Sequence, residues 1–354
     1  MKKITFFIHN IYKMGGTERV VSLIANRLSE EFEVEIVSLH KEYETPFYQI
    51  NKNIKVNYIL GKELQPVKLY YPYLMYKVKN FLKNYKTDVF ICAGMGDVPL
   101  TIFMHNRCKY IAWEHFYSSQ GKVGGIMWLG RVLSAKYADK VVVLTKKDME
   151  LNQKRFKTSG KIVQIYNPFN FEKQDVKYNK ESIKIVSCGR FTKQKGYDFL
   201  VNVAEKVFRS HSDWTWDIYG DGEEMNNIKK LIKEKNLENN VILKGRTNQM
   251  YNLYKEYAMF VLTSRYEGFA MVNIEAHYAK LPIVSFNCNC GPDEIIQDGI
   301  NGYLIDCFYL NKMADKINYL IENPDIRIQM SENTMLDKEK LQMENVIKEW
   351  KKIL

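Results

Sequence analysis

Ser264-Arg-Tyr-Glu-Gly-Phe-Ala-Met-Val-Asn-Ile-Glu-Ala276 holds two glutamates, Glu267 and Glu275, eight positions apart. The short apolar run Met259-Phe-Val-Leu-Thr263 precedes it and has the length and bounds of a buried parallel strand. An apolar-periodic segment follows, closed by Pro282, and the pattern predicts a helix there. Glu267-Gly268-Phe269-Ala270 is then a strand-to-helix turn, with Met271 opening the helix. Its backbone N–H groups lack intrahelical partners and face the crevice where α/β sheets take anionic ligands. Glu275 falls about two turns into the helix, on roughly the face of Glu267. Two glutamates on one helix are common and usually solvated. A carboxylate at each end of an N–H-rich crevice nevertheless suits a ligand with phosphate in its middle and hydroxyls at both ends, the shape of a nucleotide-sugar.

Three other segments share the plan of a strand followed by a polar turn. In Ser187-Cys-Gly-Arg-Phe-Thr-Lys-Gln-Lys-Gly196 an apolar strand runs into Gly189, where the chain turns sharply. Arg190 can fork onto phosphate oxygens and Lys195 can act as a compact charge, so the pair suits a diphosphate. Near the start, the strand Ile4 to Ile8 leads to Met14-Gly-Gly-Thr-Glu-Arg19, and Gly16 opens a helix with Val20, Leu23, Ile24 and Leu28 on one face. A glycine pair there lets the backbone approach a phosphate at a helix N-terminus, although any tight turn could use one. Ile111-Ala-Trp-Glu-His115 ends another strand in a histidine, for which a structural, hydrogen-bonded role is an even alternative.

Together these segments resemble the family 4 glycosyltransferases. Glu267 and Glu275 resemble their Glu-x7-Glu motif, Gly189-Arg190…Lys195-Gly196 their diphosphate loop, and Gly15-Gly16-Thr-Glu-Arg19 their N-terminal loop. The resemblance runs from residue 4 to about residue 305. It implies the α/β GT-B fold, two Rossmann-like domains with a donor/acceptor cleft between them. It gives Glu267, His115, Arg190 and Lys195 catalytic roles. Glu267 would meet the donor sugar, Glu275 the ribose, and Arg190 and Lys195 the diphosphate. Gly16, Arg246, Gly268, Phe269, Ala270 and Met271 would complete the donor site, Arg246 from a loop beside the base. Ala270 stands where many relatives carry Gly or Pro, and His277-Tyr278 interrupts their small residues, so the sugar's identity stays open.

The length of 354 residues suits two domains, and strands alternate with helices throughout without internal repeats. The expected division is an acceptor domain over residues 1–167, a nucleotide-sugar domain over 168–340, and a helix over 341–354 that in this fold often crosses back to the first domain. Asn167-Pro168 and the polar stretch to Glu181 mark the boundary. The six cysteines form neither a disulfide framework nor a metal-ligand pattern, which agrees with reduced thiols in the cytoplasm. The first apolar run is too short for a signal peptide, and no run reaches transmembrane length. The lack of an Asp-x-Asp motif predicts a metal-independent enzyme with no cofactor.

The net charge of +11 is uneven. Residues 1–170 hold 26 Lys+Arg against 14 Asp+Glu, and the remainder 26 against 27. In Lys68 to Lys86, Leu74, Val78, Phe81, Leu82 and Tyr85 share a helical face flanked by Lys79, Lys83 and Lys86. This pattern fits a helix lying on an anionic membrane, and equally a domain helix with its apolar face packed inward. No nucleic-acid-binding pattern accompanies the charge. The resemblance implies retaining transfer of a sugar from a nucleotide donor, UDP favoured over GDP, to a hydroxyl of a glycan, and with the basic first half it points to a polyprenyl-diphosphate-linked saccharide at the inner face of a bacterial membrane as acceptor. A sugar-nucleotide epimerase of the same fold and a non-catalytic nucleotide-sugar-binding subunit are the alternatives.

Overall fold

The computed structural model describes residues 1–62, 67–119, 122–158, 160–169, 177–247 and 249–354. Residues 170–176 of the polar boundary stretch lie outside the described residues, as do the side chains of Lys68 and Leu69. The chain divides into two compact units, Met1–Asn170 with Glu339–Leu354, and Phe171–Lys338.

The first unit is built on strands β1 (Lys3–Ile8), β2 (Glu33–His40), β3 (Lys55–Leu60), β4 (Val89–Ala93), β5 (Lys109–Trp113), β6 (Lys140–Val143) and β7 (Ile162–Gln164). They form one parallel sheet in the order β3-β2-β1-β4-β5-β6-β7. Helices cover its strands, so β4 and β5 read as nearly continuous apolar runs rather than alternating ones. The strand order reverses beside β1, whose neighbours are β2 and β4.

Helix Val67–Leu82 departs from the lipid-facing expectation. Leu74, Val78 and Leu82 are buried with Phe7, Val37 and Phe90, and Phe81 and Tyr85 pack against that cluster. A 3.6-residue apolar stripe buries itself against whichever apolar surface is near, and here the sheet supplies it. The face expected to meet lipid is therefore core.

Helix Met343–Ile353 belongs to the first unit. Trp350 packs edge-on against Trp113 with ring centroids 4.7 Å apart, and Lys351 pairs with Glu31 at 2.6 Å.

In the second unit, β8 (Lys184–Cys188), β9 (Thr215–Tyr219), β10 (Val241–Gly245), β11 (Met259–Leu262), β12 (Ile283–Phe286) and β13 (Gly302–Ile305) form a parallel sheet ordered β10-β9-β8-β11-β12-β13. It repeats the first unit's plan, with the reversal now beside β8 and β11. Helix Tyr197–Phe208 buries Leu200, Val201, Val203, Ala204 and Val207 on this sheet, together with Trp216 and Ile218. All six cysteines are free thiols. Among the described residues, no helix is long and apolar enough to cross a membrane.

Candidate functional site

The loops that leave β8 and β11 stand at the switch point of the second sheet, where open α/β sheets bind ligands. From the first loop Lys195 donates to Glu267 of the second, Nζ to Oε1, at 2.7 Å. Their side chains are only 16% and 7% exposed. Burial works against the Lys195 ammonium, but the Glu267 carboxylate outweighs it and raises the pKa above the ordinary lysine value. Ser264 Oγ donates to the same Oε1 at 2.5 Å, so the carboxylate is held from two directions. Arg190 is exposed on the Lys195 loop, with no hydrogen-bond partner for its guanidinium among the described residues.

Gly196 ends that loop at φ +66°, and a Cβ there would lie 2.2 Å from the carbonyl oxygen of Thr263. The two loops thus approach within a distance that only glycine allows. Helix Met271–Tyr278 begins after Ala270, which has φ 52°, and has no side-chain cap. Glu275 is therefore just over one turn into the helix, not two, because the left-handed Ala270 delays its start. The Phe269 and Ala270 side chains are buried, which leaves the backbone of Gly268, Phe269, Ala270 and Met271 to meet a ligand. Burial and then the Glu275 carboxylate push the Cys188 thiol up to about 12, so Glu275 acts on the end of β8. Arg246, beyond β10, is 66% exposed and pairs with Asp221 at 3.0 Å.

Several supporting residues carried no sequence signal. Arg265 grips Asp198 with two bonds, Nη1–Oδ1 at 2.8 Å and Nη2–Oδ2 at 2.7 Å, and lies 4.0 Å over the Phe199 ring. It also donates to the Lys193 carbonyl, and Gln194 Nε2 donates to the Tyr266 carbonyl. These bonds fasten the two loops to each other and fix the distance between Lys195 and Glu267. Their partners are about 70 positions apart in the chain, beyond any local pattern.

In the first unit Gly16 starts helix Gly16–Leu28 with open space around its Cα. A Cβ on Gly15 would meet the Glu18 carboxylate at 2.1 Å, so the first glycine lets Glu18 fold back over the turn. His115 is buried against Trp113, ring centroids 4.3 Å apart, and its Nε2 has no hydrogen-bond partner among the described residues. Burial lowers its pKa to about 3, and the ring is neutral at physiological pH. Beside it, Arg131 Nε donates to Glu114 Oε2 at 2.6 Å, and Phe116 N to Glu114 Oε1 at 3.1 Å. Ser118 N donates to Asp148 at 3.2 Å. The turn that carries His115 is thus tied to helices Ile126–Tyr137 and Lys146–Phe156.

A paired cation and carboxylate thus stand at the switch point of one Rossmann-like unit, and the same chain carries a second such unit. The family described as Glycosyltransferase Family 4 matches residues 14–173, and Glycosyl transferases group 1 matches residues 168–336. An uncharacterized glycosyltransferase of Haemophilus influenzae is 33% identical over the full length of both chains. The amylovoran biosynthesis glycosyltransferase AmsD of Erwinia amylovora is 26% identical, again over both full lengths. Poly(ribitol-phosphate) alpha-N-acetylglucosaminyltransferase of Staphylococcus aureus is 30% identical over 78% of this chain and 57% of its own. Among solved structures, S. aureus TarM with UDP and alpha-GlcNAc-glycerol superposes with a TM-score of 0.84 at 19% identity, covering 100% of this chain and 99% of TarM. Anabaena HepE with UDP and glucose gives 0.79 at 17% identity, covering 99% of each. The chain belongs to the family 4 glycosyltransferases and is a glycosyltransferase with the GT-B fold.

Proposed function

We propose that this enzyme transfers a sugar from a UDP-sugar to a hydroxyl of a polysaccharide or lipid-linked glycan, with retention at the anomeric carbon. The contact between Lys195 and Glu267, with Arg190 on the same loop, carries the reading, because it joins a phosphate-binding charge to a sugar-binding carboxylate. As the bond from C1 to the diphosphate breaks, negative charge builds on the departing oxygen. Lys195, Arg190 and the N–H groups opening helix Met271–Tyr278 are preorganised to meet it, without a metal ion. Glu267 holds sugar hydroxyls, Glu275 the ribose, and the neutral His115 offers its ring nitrogen to the sugar. The acceptor oxygen bonds to C1 on the side the diphosphate leaves, and the acceptor's proton passes to the departing phosphate oxygen.

UDP is favoured by the complexes of TarM and HepE, and the acceptor class by relatives named for poly(ribitol phosphate) and for a saccharide on PP-undecaprenol. The test is incubation with UDP-glucose, UDP-galactose and UDP-N-acetylglucosamine, each with poly(ribitol phosphate) or a polyprenyl-diphosphate disaccharide. A product one sugar heavier with the donor's anomeric configuration is expected. Isomerised UDP-sugar without acceptor, or no consumption of any donor, would overturn the reading.

The basic first unit is further proposed to rest on the anionic inner face of the membrane. The outward side of helix Val67–Leu82 supports this, with Tyr73 and Tyr76 42% and 66% exposed beside exposed Lys79 and Lys83. The segment opening helix Ile126–Tyr137 adds Val123 at 84% and Ile126 at 41%. The short helix Val98–Thr101 lies against both helices.

A further inference from the structure

We propose that the amino-end edge of the first sheet, from β4 to β7, holds an anionic, phosphodiester-linked acceptor chain, an inference that rests on the transferase reading above. These four strands are consecutive neighbours. Lys86 precedes β4 by three residues, and Arg107 precedes β5 by two. Lys140 is the first residue of β6, and Lys161 stands just before β7. Neighbouring strands lie about 4.8 Å apart, so the four cations form a row of roughly 15 Å. Helices that connect parallel strands run back to the amino ends, and two of them add charge there. Lys83 follows helix Val67–Leu82, and Lys136 lies in the last turn of helix Ile126–Tyr137.

The charge of this edge is not balanced locally. None of the six side chains pairs with a carboxylate among the described residues. Arg107 Nη1 donates to the carbonyls of Leu82 and Lys83 at 3.1 and 2.7 Å. Lys140 Nζ donates to the Gly160 carbonyl at 2.7 Å, and Lys161 Nζ to the Lys136 carbonyl at 3.1 Å. Capping of carbonyls fixes where these cations sit and leaves their charge in place. Asp88 and Asp139 stand in the same edge, but each accepts a backbone N–H at 2.7 Å, from Lys3 and Tyr110. Beyond β4 the pattern changes: Lys3 meets Glu33 and Glu35 at 3.5 and 2.9 Å, so the charge at β1 and β2 is balanced.

The form of the row selects its partner. Cations repeated along one line at strand spacing match a chain whose charges also repeat along one line. Beside them the Tyr137 ring, 38% exposed, stacks on His105 at 5.1 Å and offers a face to the C–H groups of a sugar or alditol. A bilayer asks for several aromatic or apolar side chains at headgroup level, and those stand instead on the outward side of helix Val67–Leu82. The row would act as a remote holding site, which favours long acceptors over short ones without touching the reacting atoms.

The experiment uses the full chain, a UDP-sugar that it consumes, poly(ribitol phosphate), and a short fragment of the same polymer. Combining Lys136→Gln, Lys140→Gln and Lys161→Gln should raise the KM for the polymer about 10-fold. The KM for the fragment, kcat and the affinity for UDP should stay within about twofold. The loss should fade at high salt, where exposed charges are screened in the parent too. The same three positions changed to Arg should keep the parent's KM, and Lys161→Gln alone should show part of the loss if the triple variant fails to fold. An unchanged KM for the polymer, or an equal rise for polymer and fragment, would overturn the proposal. So would a triple variant that loses binding to anionic vesicles while keeping its affinity for the polymer, since the row would then meet lipid. If the parent transfers to no acceptor, the transferase reading fails by itself. Calorimetric binding of poly(ribitol phosphate) to parent and triple variant then decides the row, and equal affinities overturn it.

Discussion

Arg265 and Asp198 form a two-pronged ion pair, at 2.8 and 2.7 Å, that joins the turn after β11 to the first turn of the helix after β8. Both are partly exposed, so the pair contributes about 1 kcal/mol or less to folding. Its effect falls on the loops that carry Lys195 and Glu267. Arg265→Leu should raise the KM for donor about 10-fold while the melting temperature changes little. A Lys at this position should not restore activity, since it cannot fork onto both oxygens. Steady-state kinetics beside a thermal melt would show the split; equal losses in both would make the pair merely structural.

Glu267→Gln removes the counter-charge of a nearly buried ammonium, at a cost of about 2–4 kcal/mol. Lys195 has a raised pKa in the folded state. Its share of stability is complete below the ordinary lysine value and is lost as pH rises through the raised one. Denaturant titrations should show the variant losing this alkaline dependence. Transfer should collapse while UDP affinity is spared, and Glu275→Gln should do the reverse for UDP. Calorimetry with free UDP would expose an exchange of the two roles.

Much of this arrangement was legible because parallel strands buried on both faces leave short apolar runs, such as Met259–Leu262 before the Glu267 turn. Local motifs then located Arg190, Lys195, Glu267 and Glu275 on loops and helix starts. What stayed hidden depends on contacts across the sheet. The partner of Arg265 lies 67 positions away, and that of Glu114 is a helix residue 17 positions on. Nor does an amphipathic pattern state what its apolar face covers. Leu74 and Val78 would read the same against lipid as against Phe90. The left-handed Ala270 was hidden too, because alanine rarely adopts that conformation and gives no warning of it.

His115 should make the fold acid-sensitive. Its pKa falls to about 3 on burial, so between the ordinary histidine value and that point the unfolded chain binds a proton that the folded chain refuses. Stability is complete above the ordinary value and should decline by up to about 1.4 kcal/mol per pH unit below it. His277, also buried and lowered, adds the same trend in the second unit. Urea titrations at pH 5 and 7 should show the loss, and His115→Gln should reduce it. The rate of transfer should show no ionisation of His115 near neutrality.

The Glu114–Arg131 pair is 2% and 4% exposed by side chain. Breaking it from one side strands a buried charge, so Arg131→Met should destabilise by about 3–5 kcal/mol. Burial already raises the Glu114 pKa against the pull of Arg131, and removing the arginine should leave the acid protonated. Glu114→Gln with Arg131→Met should therefore recover much of the stability. If the double variant is no more stable than Arg131→Met alone, the arginine acts through packing rather than charge.

The membrane contact should depend on the outward side of helix Val67–Leu82, not on its buried stripe. Tyr73 and Tyr76 are exposed, and Lys79, Lys83 and Lys86 are exposed near them. Each lysine close to an anionic surface contributes about 1 kcal/mol, and the attraction is screened by salt. Replacing the three lysines with Gln should reduce co-sedimentation with vesicles of phosphatidylglycerol and phosphatidylcholine by roughly 10-fold or more at low salt. Tyr73→Ser with Tyr76→Ser should weaken binding in a way salt does not reproduce, because aromatic side chains anchor at the headgroup level. Both variants should keep their affinity for UDP, whose proposed ligands belong mainly to the second unit. Replacing Leu74 or Val78 should instead unfold the first unit, since these side chains are core. If the parent stays in solution at low salt, the basic surplus serves the acceptor's own phosphates and the membrane contact falls. If the lysine variant sediments like the parent, the contact lies elsewhere, with Val123 and Ile126 the next residues to replace.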